Sequence, residues 1–117
     1  MIGQLLIGLI AVLHVYILVL EMFLWDKPYG LKAFGNSLEK AQLTKVLAQN
    51  QGLYNGFLAA GLFWSLLAPA TYAVALANFF LGCVLIAGIY GGLTASKKII
   101  YIQSIPALIA LIAVNFF

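Results

Sequence analysis

The sequence predicts an all-α membrane protein with four transmembrane helices in an antiparallel bundle and a short cytoplasmic amphipathic helix between helices 1 and 2. Two observations lead to this fold class. Of the 117 residues, 65% are hydrophobic and only 8% are charged, which provides too little polar surface for a soluble domain. Apolar runs of about 18 residues recur, and none alternates as a membrane β-strand would. We therefore expect residues 1–117 to form a single transmembrane domain.

The apolar runs place the four helices at residues 2–25, 52–68, 72–93 and 99–117. Each contains 17 to 24 residues, enough to cross a hydrocarbon core of ~30 Å at ~1.5 Å per residue. The first run lacks a basic start and a small-residue cleavage site, so we do not expect a cleaved targeting segment. Cys83 is the single cysteine and lies in an apolar run, which excludes an intrachain disulfide and predicts a packing role.

The lysines predict how the helices are oriented. The six basic side chains all lie between helices 1 and 2 or between helices 3 and 4: Lys27, Lys32, Lys40, Lys45, Lys97 and Lys98. With four crossings both loops face the same side, which the positive-inside rule identifies as the cytoplasm. We therefore expect a multi-pass protein of the cytoplasmic membrane with both termini outside. The net charge of +3 then reflects topology and anionic lipid headgroups, not binding to nucleic acid.

Helix 1 carries two ionisable side chains, His14 and Glu21, on nearly the same face. Residues seven apart differ by only ~20° around a helix and are ~10 Å apart along it, too far for a direct hydrogen bond. A carboxyl within a spanning helix predicts a functional site. The alternative is that Glu21 bonds to amide side chains and holds helices together. His14 is interpreted as structural or as a proton relay with Glu21, and a metal site is not expected because no second histidine or suitable cysteine exists.

The connection at residues 26–49 is long enough to have structure of its own. Residues 26–30, with the sequence Asp-Lys-Pro-Tyr-Gly, predict a helix stop and a turn. Asn36 or Ser37 can cap the amphipathic helix that follows. The sequence leaves open whether residues 37–50 form a separate helix or extend helix 2.

Small residues at a spacing of four predict two places where neighbouring backbones come close. These ridges are Gly52, Gly56 and Ala60 in helix 2, and Gly88, Gly92 and Ser96 at the end of helix 3. In helix 4, Pro106 removes the donor for the backbone carbonyl of Ile102, which then needs another partner.

Polar side chains from all four helices fall at a similar depth, within roughly 5–8 Å of the cytoplasmic interface at ~1.5 Å per residue. Because exposure to lipid would cost each several kcal/mol, we expect each to face the interior. The predicted layer consists of Glu21, Asn55, Tyr90 and Gln103, with Asn55 facing Glu21 across the bundle. The predicted ligand-binding residues are these four together with Asn50, Gln51 and Tyr54. For the amides, hydrogen-bonded packing between helices is the alternative.

The same residues give the chain a family resemblance. It is similar to a bacterial integral-membrane family catalogued as domain of unknown function 1304. The resemblance covers essentially the whole chain, and its most specific part is the run from Asn50 to Gly56. The other motifs are His14, Glu21-Met22-Phe23, Trp25, Phe34-Gly35, Leu47-Ala48, Ala87-Gly88-Ile89-Tyr90-Gly91, Thr94, Gln103 and Pro106-Ala107. The resemblance implies a four-helix membrane protein and brings no established activity.

From the residues we predict a small carrier or binding protein with a cytoplasm-facing pocket for a small polar or amphipathic ligand, coupled to protons through Glu21. The alternative is a structural or regulatory membrane subunit in which the polar layer only specifies helix packing. Enzymatic chemistry has little support, because no serine lies at the depth of His14 and no phosphate-binding loop is present. No cofactor or metal is predicted. Four helices enclose little volume, so a carrier of this size is expected to form a homodimer.

Overall fold

The protein is all-helical in the computed structural model, which describes residues 1–117 and contains no strand. The helices are α1 (Ile2–Met22), α2 (Pro28–Phe34), α3 (Leu38–Leu67), α4 (Ala70–Thr94) and α5 (Ile105–Phe116), and a π-helical segment, Ile100–Ser104, directly precedes α5. The predicted all-α class is confirmed. α1 and α4 are long and apolar enough to cross a membrane, by length and composition, and Ile100–Phe116 is a shorter apolar helix.

The expected separate amphipathic helix after residue 36 is absent, because that stretch is the first part of α3, which runs for 30 residues. Its start agrees with the predicted cap, since the backbone N–H of Lys40 donates to Oγ of Ser37 at 3.1 Å. No glycine or proline occurs between residues 38 and 51, so nothing in the local sequence ends the helix before the apolar run begins. Of the two open alternatives, the structure has the extension of helix 2.

The connection after α1 contains a helix where the sequence predicts only a turn. α1 ends at Met22 instead of residue 25, and Pro28 opens α2 at its first position, where the missing N–H is not needed. Gly35 ends α2 with a φ of 68°, in the left-handed region that favours glycine. The backbone N–H of Asn36 donates to the carbonyl of Leu31 at 3.0 Å and closes that end.

The chain divides into two compact units. The first contains residues 1–12 and 58–117, and the second contains residues 13–57. The core of the first unit takes residues from four helices: Ile7, Ile10 and Ala11 of α1, Leu62 of α3, Ala77, Leu81 and Val84 of α4, and Ala107 and Ala110 of α5. Small residues make up much of this core, which allows the helix backbones to approach closely.

Within the first unit, the end of α4 packs directly on the π-helical segment. A Cβ atom added at Gly88 would lie 2.2 Å from Oγ and 2.8 Å from the backbone N of Ser104. One added at Gly92 would lie 2.1 Å from Cγ1 of Ile100. The close approach predicted for the second glycine ridge is therefore confirmed at these two positions. Oγ of Ser104 also donates to the carbonyl of Leu85 at 3.0 Å.

A pair of amides, not foreseen from the sequence, joins α4 to α5. Nδ2 of Asn78 donates to Oδ1 of Asn115 at 3.1 Å, and Nδ2 of Asn115 donates to Oδ1 of Asn78 at 2.6 Å. Asn78 is half-buried and Asn115 is exposed, and each amide satisfies the other. Such a reciprocal pair fixes the register of the two helices.

Candidate functional site

The second unit brings Glu21 of α1 and Asn55 of α3 into direct contact. Nδ2 of Asn55 donates to Oε1 of Glu21 at 2.6 Å, and both side chains are half-buried. The expectation that Asn55 faces Glu21 is therefore confirmed. The other carboxylate oxygen, Oε2, makes no hydrogen bond within the protein, so a donor from outside the chain can still bind this group.

Two glycines allow this contact by removing side-chain bulk on either side of Asn55. A Cβ atom added at Gly52 would lie 2.5 Å from Cγ of Met22, and 3.2 Å from both Cβ of Glu21 and the carbonyl oxygen of Leu18. One added at Gly56 would lie 2.7 Å from Cδ1 of Leu18. The first small-residue ridge is thus confirmed for these two positions, where α3 lies directly on α1.

An aromatic and polar cluster ties the turn after α1 to α2 and α3. Nε1 of Trp25 donates to Oγ1 of Thr44 at 3.1 Å, and the ring of Trp25 lies 4.7 Å from that of Phe34 between centroids. Nζ of Lys45 donates to Oδ2 of Asp26 at 3.1 Å. The hydrogen bond from Lys45 lowers the pKa of Asp26, against a smaller opposing effect of burial.

A tyrosine pair makes a further connection within the second unit. The hydroxyl of Tyr16 in α1 is hydrogen-bonded to that of Tyr29 in α2. The backbone of α2 comes even closer to the preceding turn, because a Cβ atom added at Gly30 would overlap the carbonyl oxygen of Leu24 at 1.8 Å. These contacts tie α2 to α1, the helix that carries Glu21, and to the turn that follows α1.

The other predicted ligand residues of the second unit lie on the surface of α3. Asn50, Gln51 and Tyr54 are exposed, and Nδ2 of Asn50 donates to the carbonyl of Val46 in its own helix at 2.9 Å. His14, the predicted relay, is fully buried. The roles of these residues in ligand or proton binding stay predictions.

Tyr90 and Gln103 belong to the first unit, and the predicted four-residue layer that joins them to Glu21 and Asn55 stays a prediction. Tyr90 is 70% exposed, so the expectation that its side chain faces the interior is wrong. Tyr90 is two residues from Gly88, so its side chain points ~200° around the helix from the packed face. Gln103 is half-buried in the π-helical segment, with its Cβ 3.0 Å from where a Cβ on Gly88 would lie.

The structure also contains a cavity that the sequence did not suggest. It lies in the first unit, has a volume of about 210 Å³ and is lined in part by Gly3, Gln4, Ser65 and Ala77. None of the predicted ligand residues lines it. Nowhere do three or more His, Cys, Asp or Glu side chains come close enough to hold a metal ion.

Comparison with known proteins identifies relatives without giving an activity. The model of a family described as "Protein of unknown function (DUF1304)" matches residues 8–115. The uncharacterized protein YpaA of Lactococcus lactis subsp. lactis (strain IL1403) is 32% identical over 107 residues, which are 90% of this chain and 89% of that protein. No solved structure shows significant similarity to the chain.

Proposed function

This chain belongs to the DUF1304 family of proteins of unknown function, and we propose that it is a small carrier or binding protein of the cytoplasmic membrane. Glu21 and Asn55 bind a small polar or amphipathic ligand from the cytoplasmic side. The observation that supports this proposal is the hydrogen bond between the two side chains, which leaves Oε2 of Glu21 open to a second donor. A half-buried carboxylate on an apolar helix is energetically costly, and within a membrane helix such a group indicates a functional site.

The proposed protein crosses the membrane four times, through α1, the second half of α3, α4 and the helical run Ile100–Phe116. Support comes from the length and apolar character of α1 and α4, and from the hydrophobic share of 65%. α3 has 30 residues, more than the ~20 that a crossing requires. The charged residues of α3 all lie in its first half, so this half extends beyond the hydrocarbon on the cytoplasmic side.

The chemistry of the site favours a ligand that donates hydrogen bonds and carries positive charge. A carboxylate binds an ammonium group through short, charge-assisted hydrogen bonds, and the amide oxygen of Asn55 can accept another. A proton neutralises the same carboxylate, so ligand and proton compete for Glu21. His14 lies on the same helix and serves as the proposed relay for that proton. Exchange of one for the other would couple transport of a cation to a proton.

Glu21→Gln is expected to abolish the stabilisation that the wild-type protein gains from a bound ammonium compound. The probes are small organic ammonium ions, from methylammonium to tetraethylammonium, added to the purified protein in detergent. A probe at about 100 times its Kd stabilises the folded state by about 2.7 kcal/mol, which is measurable as a rise in Tm. Gln retains the shape and an acceptor oxygen but cannot carry charge or a proton.

Glu39→Gln is the matched control, because it makes the same chemical change at a residue away from the site. Glu39 is exposed and lies in the first turn of α3. Stabilisation must survive in this variant. If every probe stabilises Glu21→Gln as much as the wild type, or if none stabilises the wild type, the ligand site proposed at Glu21 is wrong.

A second candidate function is a non-transporting membrane subunit in which Glu21 and Asn55 only specify how α1 packs on α3. The close approach of Gly52 to Leu18 and Met22 favours it, because small-residue ridges with a polar contact are typical of helix pairing in membranes. This candidate predicts that Glu21→Gln changes stability alone. The ammonium probes therefore separate the two functions.

The proposed topology predicts that residue 71 is reached from outside the cell and residue 96 from the cytoplasm. Thr71 and Ser96 lie near the two ends of α4, and both are exposed. In a Cys83→Ala background, a membrane-impermeant maleimide added to intact cells is expected to label Thr71→Cys and to leave Ser96→Cys unlabelled. Labelling of Thr71→Cys only after the cells are opened would reverse the orientation.

A further inference from the structure

We propose that α3 is a dimerisation helix, in which the exposed face of residues 39–57 packs against the same face of a second copy of this chain. The inference rests on the membrane location proposed above and is independent of ligand binding at Glu21. The observations that carry it are the spacing of the exposed apolar residues, the length of α3 and the position of one amide.

The exposed residues of this face follow the spacing of a coiled-coil seam. Their positions increase by 3, 4, 3 and 4, the a and d pattern of a heptad repeat: Leu43, Val46, Asn50, Leu53 and Phe57. The four apolar members are between 44% and 80% exposed. Such a seam pairs with another helix through interlocking side chains. We call these five residues the α3 seam.

The opposite face of α3 is the one that packs within the chain. Ala41 and Ala48, which fall at one heptad position, are buried, and Gly52 lies against α1. Because these positions are roughly half a turn from the seam, the packing of the chain itself leaves the seam uncovered.

Lipid tails cannot cover the whole seam. The 30 residues of α3 extend about 45 Å at 1.5 Å per residue, against a hydrocarbon thickness of about 30 Å. About ten residues at the start of α3 therefore project into water. Leu43 and Val46 lie in that part and are 80% and 69% exposed. Leaving such side chains in water costs on the order of 1.5–3 kcal/mol each relative to burial.

Asn50 indicates that the partner is a second copy aligned in parallel. Copies in one membrane share an orientation, so a two-fold axis along the membrane normal places equivalent helices side by side in the same direction. Asn50 then meets the same residue of the second copy, and a single asparagine at an a position fixes the register of a parallel pair. Its Nδ2 bonds to the carbonyl of Val46, and its Oδ1 is left to accept from the second amide.

Charge at the start of α3 agrees with this alignment. Glu39 occupies the seam position before Leu43, and Lys40 flanks it. Both side chains are exposed. In a parallel pair, a residue at d lies beside the e residue of the other helix, so Glu39 of each copy meets Lys40 of the other. The two ion pairs offset the repulsion between the glutamates.

Disulfide cross-linking in native membranes tests the proposal. In a Cys83→Ala background, Val46→Cys and Asn50→Cys are compared with Gln51→Cys, which is exposed but ~100° around α3 from Asn50. Oxidation with copper phenanthroline is expected to give severalfold more dimer from the two seam variants than from the control. Only variants that keep the wild-type unfolding transition are compared. Two seam positions are used so that the test still applies if one of the variants fails to fold.

Equal cross-linking of Gln51→Cys and the seam variants would overturn the α3 seam as a dimer interface, and so would a monomeric mass for the wild type in lipid nanodiscs. A cross-link to a different protein would overturn the choice of a second copy. The cross-linking result is independent of whether the proposed ligand site at Glu21 is correct. Cross-linking involves no ligand, and the ammonium probes report on Glu21 whether or not the dimer forms.

Discussion

Gly52→Ala is expected to lower the free energy of unfolding by about 1–3 kcal/mol, the usual cost of adding a methyl group to a tightly packed contact. The new Cβ would lie 2.5 Å from Cγ of Met22 and 3.2 Å from both Cβ of Glu21 and the carbonyl oxygen of Leu18. Since a backbone atom is among these neighbours, rotation of one side chain cannot relieve the crowding, and α3 must move away from α1. That movement also lengthens the hydrogen bond between Asn55 and Glu21.

Gly82→Ala is the matched control, because no atom other than those of the adjacent residues and the nearby helix backbone lies within 4 Å of a Cβ added at that position of α4. The same change there replaces a helical glycine without crowding, and is expected to stabilise by roughly 0.5–1 kcal/mol. Both variants are measured by reversible unfolding in mixed detergent micelles. Equal stability of the two variants would mean that α1 and α3 are not in close contact at Gly52.

Asn55→Leu is expected to destabilise the protein by about 1–3 kcal/mol, because it leaves the half-buried carboxyl of Glu21 without its donor. Replacing both partners with leucine removes the polar group as well as its partner, and such double replacements are nearly neutral. The double variant Glu21→Leu/Asn55→Leu is therefore expected to be more stable than Asn55→Leu alone.

The full set of single and double variants forms a double-mutant cycle that isolates the interaction between the two residues. For residues in direct contact the coupling is on the order of 0.5–3 kcal/mol. Additive effects of the two replacements on the free energy of unfolding would show that the two side chains do not interact in the folded protein. A double variant that folds but no longer responds to ammonium probes would favour the binding protein over the structural subunit.

The contact between Glu21 and Asn55 could be predicted because two independent patterns gave its geometry. Counting residues along each helix placed both side chains at one depth, and the cost of exposing polar groups to lipid directed both toward the interior. The glycine ridge agrees with this direction, because Asn55 is three residues after Gly52 and therefore only ~60° around α3 from the face that lies on α1.

The orientation of Tyr90 was predicted wrongly because only its depth along the helix was used, and not the direction of its side chain around the helix axis. Counting along α4 gives its height and says nothing about rotation about the helix axis. The signal that gives its direction was present, since Gly88 and Gly92 form the packed ridge and Tyr90, midway between them, points the other way. The glycine ridge is therefore the better guide to orientation.

The pairing of Asn78 with Asn115 had no signal in the sequence. The reciprocal amides of Asn78 and Asn115 are 37 residues apart, and either alone reads as a polar residue near an interface. α2 was missed for another reason, because Pro28 followed by Gly30 indicates a turn, whereas in the structure Pro28 opens a short helix that continues to Gly35.

The most direct test of the central claim, that Glu21 is an ionisable carboxyl engaged by Asn55 within the membrane, is its reaction with dicyclohexylcarbodiimide in native membranes. This apolar reagent reaches carboxyls in hydrocarbon, and the protonated carboxyl adds across its C=N bond to give an adduct that peptide mass spectrometry locates. We expect an adduct at Glu21, formed more slowly as the pH rises and faster in Asn55→Leu, where the carboxyl has lost its donor. No adduct at Glu21 at any pH, while a water-soluble carbodiimide labels the exposed Glu39, would contradict the account.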